Sequence, residues 1–124
     1  MPCNTPVWAP STPAEVLTVK GSRTETPVWT ALTRKERNTG LLGTDSLSGA
    51  LWITRCNWIH TFGMQYALDL VYLDRRGKVV SVCTTPPRRQ GLPRFRASST
   101  VEMPAGMASE LGIKRGDLLG RIPA

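Results

Sequence analysis

The chain has 124 residues, 40% of them hydrophobic, with four Trp and a net charge of +7. That length suits one domain with a sizeable core, and no apolar run approaches the roughly 20 residues that a membrane helix needs. The first 27 residues lack the apolar core of a signal peptide, and the three cysteines, Cys3, Cys56 and Cys83, are odd in number, far apart and without a zinc-type CxxC pair. The expectation is a cytoplasmic protein with reduced thiols, without cofactor, bound metal or membrane partner.

Residues 1–13 carry four prolines among Ser and Thr, which predicts a flexible lead before a single domain at 14–124. Glu15 to Lys20, EVLTVK, has strand propensity, and Gly21-Ser22 supplies a turn. Val28 to Leu32 is a second short apolar run. Thr33-Arg34-Lys35-Glu36 is a capping box that predicts a helix to about Leu42, with Gly43 as its stop. Gly40 inside that helix costs about 1 kcal/mol relative to Ala, and close packing of backbone against a strand would explain it. Ala50 to Thr54, ALWIT, is the next strand.

The central stretch runs from Cys56 to Asp74 and holds the single histidine, His60. Cys56, Trp58, His60 and Phe62 alternate with Asn57, Ile59 and Thr61, the period of a strand. Gly63 permits a turn. Tyr66 to Leu73 is then nearly continuous apolar sequence, as in a strand covered on both faces. A turn centred between Met64 and Gln65 would set His60 opposite Asp69 and Trp58 opposite Val71, close enough to interact. A slip of one residue would reverse both faces.

Asp74-Arg75-Arg76-Gly77 reads as a tight hairpin turn, with Lys78 to Cys83 returning. Pro86, Pro87 and Pro93 hold residues 84–94 extended and irregular. Ser98 to Met103 is a further strand. Pro104 to Leu111 is a short helix ending at Gly112, and Ile113 to Leu119 makes a final turn and strand. The elements are thus mostly strands, with no internal repeat.

Cys56, His60 and Asp69 are the residues with chemical potential. Read as a nucleophile, a base and its orienting acid, they would suit thiol catalysis; Cys56 with His60 could also ligate a metal. Four residues along a strand, however, separate α-carbons by roughly 13 Å, so no catalytic residue is assigned. A polar pocket is the third reading. The fourth is structural: a buried histidine bonded to a carboxylate or backbone group. Asp69, among apolar neighbours, must be paired or accept several hydrogen bonds, from Arg37, a loop backbone or His60. Glu102 is a second such residue. Trp52 and Trp58 read as core.

From about Ala31 to Leu119 the chain resembles the DUF192 family, also called UPF0127. The matching pieces are Arg37 with Gly40-Leu41-Leu42-Gly43, Cys56, His60-Thr61-Phe62 with Met64, Leu68-Asp69, Asp74 with Gly77, Glu102 with Gly106, and Gly112-Ile113 with Gly116-Asp117. Ala67 stands where the family usually has Pro. The resemblance implies a mainly β fold: a compact antiparallel β-sandwich or barrel-like domain with one or two short helices. It implies no established activity. Leu111 to Asp117 also resembles the loop-to-strand element of swapped-hairpin transcription factors of the AbrB type and of double-psi barrels, where Gly116-Asp117 makes a tight turn.

The expected function is a small binding or accessory module. His60, Phe62, Met64 and Asp69 would line a pocket for a small ligand or protein partner. The alternative is nucleic-acid binding through residues 75–96, which hold seven Lys or Arg and no acid. Arg88, Arg89, Arg94 and Arg96 would carry it, through salt-sensitive phosphate contacts. The same block also suits a merely solvated loop. A Cys/His-dependent enzyme is the second alternative.

Overall fold

The structure, a computed structural model, describes residues 3–10, 12–56, 66–86 and 97–124. In chain order the elements are β1 (Glu15–Val19), β2 (Ser22–Ala31), α1 (Arg34–Thr39), β3 (Ala50–Thr54), β4 (Leu68–Leu73), β5 (Val79–Thr85), β6 (Ser99–Pro104), α2 (Met107–Glu110) and β7 (Leu119–Pro123). The fold is mainly β. Among the described residues the strands form one seven-stranded sheet in the order β5-β4-β6-β3-β2-β1-β7.

Local sequence explains most of these elements. Lys20 and Gly21 both take positive φ, 54° and 79°, and Val19 faces Ser22 across them. This is the two-residue hairpin turn whose twist matches its flanking strands, one residue earlier than the Gly21-Ser22 turn expected from sequence. The Thr33 hydroxyl accepts from the Glu36 N–H at 3.1 Å, and Glu36 accepts from the Thr33 N–H at 3.0 Å. The predicted capping box is therefore closed. The helix ends earlier than expected, at Thr39, with Gly40 as its C-cap at φ 51°. Gly40 is needed for that backbone conformation rather than for close packing, since an added Cβ would find only ordinary contacts at 3.8 Å.

The register corrects two expectations. First, one strand pair is parallel: β2 runs alongside β3, Val28 to Ala50 and Ala31 to Ile53. Parallel neighbours need a crossover, and α1 with its following loop supplies it. The other pairs are antiparallel. Second, β4 does not pair with the segment before it. Asp69 lies between Thr84 of β5 and Met103 of β6, and Val71 between Val82 and Val101. Both edges of β4 are thus filled by β5 and β6, while His60 and Trp58, the partners expected from sequence for Asp69 and Val71, lie outside the described residues. Period-two alternation finds a strand but cannot choose its neighbour.

The core sits on both faces of the sheet. One cluster draws side chains from all seven strands, including Leu17, Val28, Trp52, Val71, Val79, Met103 and Leu119, together with Ala108 of α2. A cluster shared by every strand is what a curled sheet encloses. The other face buries Trp29, Leu51, Leu70 and Tyr72 under Leu41 and Leu47 of the α1–β3 loop. Burial on both faces accounts for β4, in which all six residues are buried. The Pro-rich lead takes no helix or strand among its described residues, yet it contacts this second face. The Trp8 indole donates to the Gly40 carbonyl at 3.0 Å, and the Trp29 indole donates to that of Pro10 at 2.8 Å.

The two ends of the sheet meet at one corner. Lys78 bridges Leu118, and the N–H groups of Val79 and Leu119 donate to the carbonyls of Asp117 and Gly77 at 2.8 and 2.9 Å. Asp74 shapes the hairpin at this corner by accepting from the N–H groups of Arg76 and Lys78 at 2.8 and 3.0 Å. Those bonds hold its carboxyl below the usual range. Gly77 has φ 86°, and a Cβ there would lie 2.5 Å from the Leu119 carbonyl oxygen.

Gly77 and Gly116 therefore separate two costs. Gly116 also has positive φ, 95°, but open space around it. Gly116→Ala should destabilise by about 1–2 kcal/mol, the strain of a left-handed residue. Gly77→Ala must also displace the Leu119 carbonyl and should cost about 2 kcal/mol more. Denaturant midpoints of the two variants test this, and equal losses would remove the close approach from the account.

Candidate functional site

Two carboxyl groups project from neighbouring strands into the buried part of the sheet. In the β4–β6 ladder Asp69 faces Met103 and Leu70 faces Glu102. Successive side chains on a strand point to opposite faces. Asp69 therefore shares the enclosed face with Met103 and Val71, and Glu102 shares the other with Leu51 and Leu70. Both are buried, at 3% and 5% exposure. An ionised group so placed is costly unless it is hydrogen-bonded or paired.

Asp69 meets that requirement in full. Its Oδ1 accepts from the Thr84 hydroxyl at 2.6 Å, and its Oδ2 accepts from the N–H groups of Gly106 and Ala108 at 2.9 and 3.1 Å. The last two are the N-cap and second residue of α2. The helix lacks a capping side chain of its own, so a carboxylate from β4 performs the capping. Of the partners considered from sequence, the loop backbone is found among the described residues, and His60 lies outside them. Arg37 instead donates to the Leu32 carbonyl. Beside Asp69 lies a cleft of about 370 Å³ bordered by Cys83, Thr84 and Ser109.

Glu102 is the opposite case. Among the described residues it has no hydrogen-bond or ion-pair partner. Burial alone pushes its carboxyl up to about 7. Its Oε1 faces the Cα of Gly40, where an added Cβ would lie 3.8 Å away. Close by, the Tyr66 hydroxyl and the Thr44 hydroxyl share a 2.7 Å hydrogen bond, and the Thr44 hydroxyl also donates to the Leu41 carbonyl at 2.5 Å. Burial, more than the charge on Glu102, holds the Tyr66 phenol above its ordinary range. The arrangement is a buried acid, able to take either protonation state near neutrality, beside two linked hydroxyls.

From sequence Glu102 reads as a group that must be paired and, with Gly106, as part of the family pattern; the structure leaves it without a described partner. Of the residues placed in a pocket from sequence, Asp69 is a structural cap that also borders a cleft. His60, Phe62 and Met64 lie outside the described residues, as do Trp58 and the arginines Arg88, Arg89, Arg94 and Arg96. Cys56 is half-buried; its N–H donates to the Ser98 carbonyl at 3.0 Å, and its carbonyl accepts from Thr100 at 2.8 Å. Trp52 is core, as expected, with the Arg121 guanidinium 4.5 Å over its ring. Among the described residues no group of three or more His, Cys, Asp or Glu is placed to hold a metal ion. None of the helices there is long and apolar enough to cross a membrane.

The two acids predict opposite behaviour. Asp69→Ala leaves three donors without their acceptor and should cost roughly 2–4 kcal/mol at neutral pH; an unchanged denaturant midpoint would contradict its capping role. For Glu102 the folded value near 7 exceeds the ordinary 4.5. The folded state therefore holds the proton more tightly than the unfolded chain. Its contribution is complete below about pH 4.5, falls as pH rises, and is gone above about pH 7. The span amounts to about 3 kcal/mol. Glu102→Gln should remove this slope and be the more stable protein at pH 8. Parallel melts of both proteins from pH 5 to pH 8 check it, and superimposable pH profiles would contradict it.

Comparison with known proteins agrees with the fold. The model of the DUF192 family, an uncharacterised group, matches residues 15–120. A UPF0127 protein from Pyrococcus horikoshii is 36% identical over 59 residues, 48% of this chain and 51% of that protein. The matched stretch thus spans about half the length of that relative. A protein of unknown function from Novosphingobium aromaticivorans has a similar crystal structure, with TM-score 0.75 at 21% identity, covering 97% of this chain and 92% of that one. A proposed transcription regulator from Sinorhizobium meliloti also has TM-score 0.75, at 17% identity over 91% of this chain and 98% of that one. With its model matched from the first strand into the last, the chain belongs to the DUF192 family, whose function is uncharacterised.

Proposed function

We propose that the protein is a small binding module whose ligand donates hydrogen bonds or positive charge to Glu102. The observation that supports this is the carboxyl itself, which is buried and without a partner among the described residues. Buried polar groups are almost always satisfied, so an orphan calls for an explanation, and a bound ligand is one. Tyr66 and Thr44 add hydroxyls on the same side. Tyr66 is half-buried and joins the cluster to the surface. Among the described residues the groups near Glu102 are hydroxyls bonded to each other, which favours binding over group transfer as the reading. No disulfide joins Cys3, Cys56 and Cys83, which suits a reducing compartment such as the cytoplasm.

Two ligand chemistries fit a carboxyl that ionises near neutrality: small alkyl amines and polyhydroxy compounds. Either should favour the charged form, because donors to a carboxylate lower its pKa. A thermal-shift series at pH 7.5 with alkyl diamines and with neutral sugars tests both. A compound at 100 times its Kd should stabilise by about 2.7 kcal/mol, and Glu102→Gln should lose that gain. If neither class raises Tm, or if the variant responds as the wild type does, the proposal fails.

A further inference from the structure

Positive charges that are scattered in sequence gather where the sheet closes. Three turns meet at that corner: Lys20-Gly21 between β1 and β2, Asp74 to Lys78 between β4 and β5, and Lys114 to Leu118 before β7. Backbone hydrogen bonds tie them together. The Lys20 N–H donates to the Leu118 carbonyl, the Val79 N–H to that of Asp117 and the Gly116 N–H to that of Val79, each at 2.8 Å. Lys20, Arg75, Arg76, Lys78, Lys114 and Arg115 are all exposed there.

Two acids share the corner, Asp74 and Asp117, so six positive charges face two negative and leave an excess of four. Both acids are engaged by backbone. Asp74 accepts from the N–H groups of Arg76 and Lys78, and Asp117 from that of Lys114 at 2.9 Å. Among the described residues the one ion pair, Lys20 to Asp117, is 3.9 Å long with Lys20 55% exposed, which neutralises little. A cleft of about 730 Å³ opens between the hairpin and the last turn, with Lys78 and Arg115 on its border.

We propose that this closure corner is a binding surface for the phosphate backbone of a nucleic-acid duplex. Its charges are carried on turns fixed by backbone bonds, so little ordering is required when a polyanion binds. The three turns contain no aromatic residue, so they offer no stacking platform for a single strand. They also lack the apolar face that would seat the corner in a membrane, since Leu118 alone is an exposed large hydrophobic there. Phosphate contacts carry no sequence information, so binding through them should be independent of sequence.

Anisotropy titrations with a labelled 20-base-pair DNA of arbitrary sequence test the surface. Contact with four phosphates should give a slope of about −3.6 in log affinity against log salt. The quadruple variant R75S/R76S/K114S/R115S should bind at least tenfold more weakly at 50 mM salt, with circular dichroism melts confirming its fold. Should it fail to fold, K114S and R115S singly should each flatten the slope by about 1. The double variant R34S/K35S, exposed on α1, should bind as the wild type does. Absence of binding at 50 mM salt would overturn the proposal. So would loss of binding in R88S/R89S/R94S/R96S with the corner variant unaffected, or tighter binding to phosphatidylserine vesicles than to the duplex.

Discussion

The three hydrogen bonds to Asp69 hold together parts of the fold that would otherwise have no common anchor. β4 is buried along its whole length with a strand on either edge. A carboxylate in such a place must find donors, and the donors come from two directions: the Thr84 hydroxyl on β5 and the backbone N–H groups at the start of α2. A helix of four residues is too short to persist alone. It stays folded because Asp69 fills the capping role and because Ala108 and Ile113 pack into the enclosed cluster. The placement of α2 over that end of the sheet thus follows from one acid in an otherwise apolar strand together with the packing of Ala108 and Ile113.

Much of this was legible in the chain. LDLVYL reads as a strand covered on both faces, and it is one. TRKE reads as a capping box, and both of its bonds form. DRRG reads as a tight turn, and Asp74 shapes it. Each signal is local: a period, a cap, a residue suited to a turn. Pairing order is not local. β6 comes about 30 residues after β4 begins, yet it inserts between β3 and β4, and nothing in the alternation of either strand encodes that. The parallel pair had a visible cue, since a helix between two strands is a crossover, but the cue competes with the many short turns that suggest hairpins.

Glu102 shows why the site was harder to read than the fold. In sequence TVEMP and ALDLV look alike, each an acid within apolar neighbours. What separates them is which face each acid meets. One step in register puts Asp69 toward Thr84 and α2, and Glu102 toward Leu51, Leu70 and the α1–β3 loop. Donors are present on the first side. On the second the Tyr66 and Thr44 hydroxyls bond each other and the Leu41 carbonyl instead. The same chemical group therefore serves as scaffold in one strand and has no partner among the described residues in the next.

The closure corner joins stability and charge in a way that neither the strands nor the composition reveals. Closing a curled sheet requires its first and last strands to meet, and here they do so through turns rather than a full ladder. Turns are where Lys, Arg, Gly and Asp accumulate, because these residues tolerate solvent and unusual φ. Gathering the turns therefore gathers the cations. Their mutual repulsion opposes closure, and the two aspartates offset it only in part. Closure must accordingly be held by geometry: the Val79 and Leu119 backbone bonds and the close approach of Gly77 to Leu119. A corner fixed in this way keeps its positive charges in place whether or not anything neutralises them. A surface chosen only for solubility would have no need of that property.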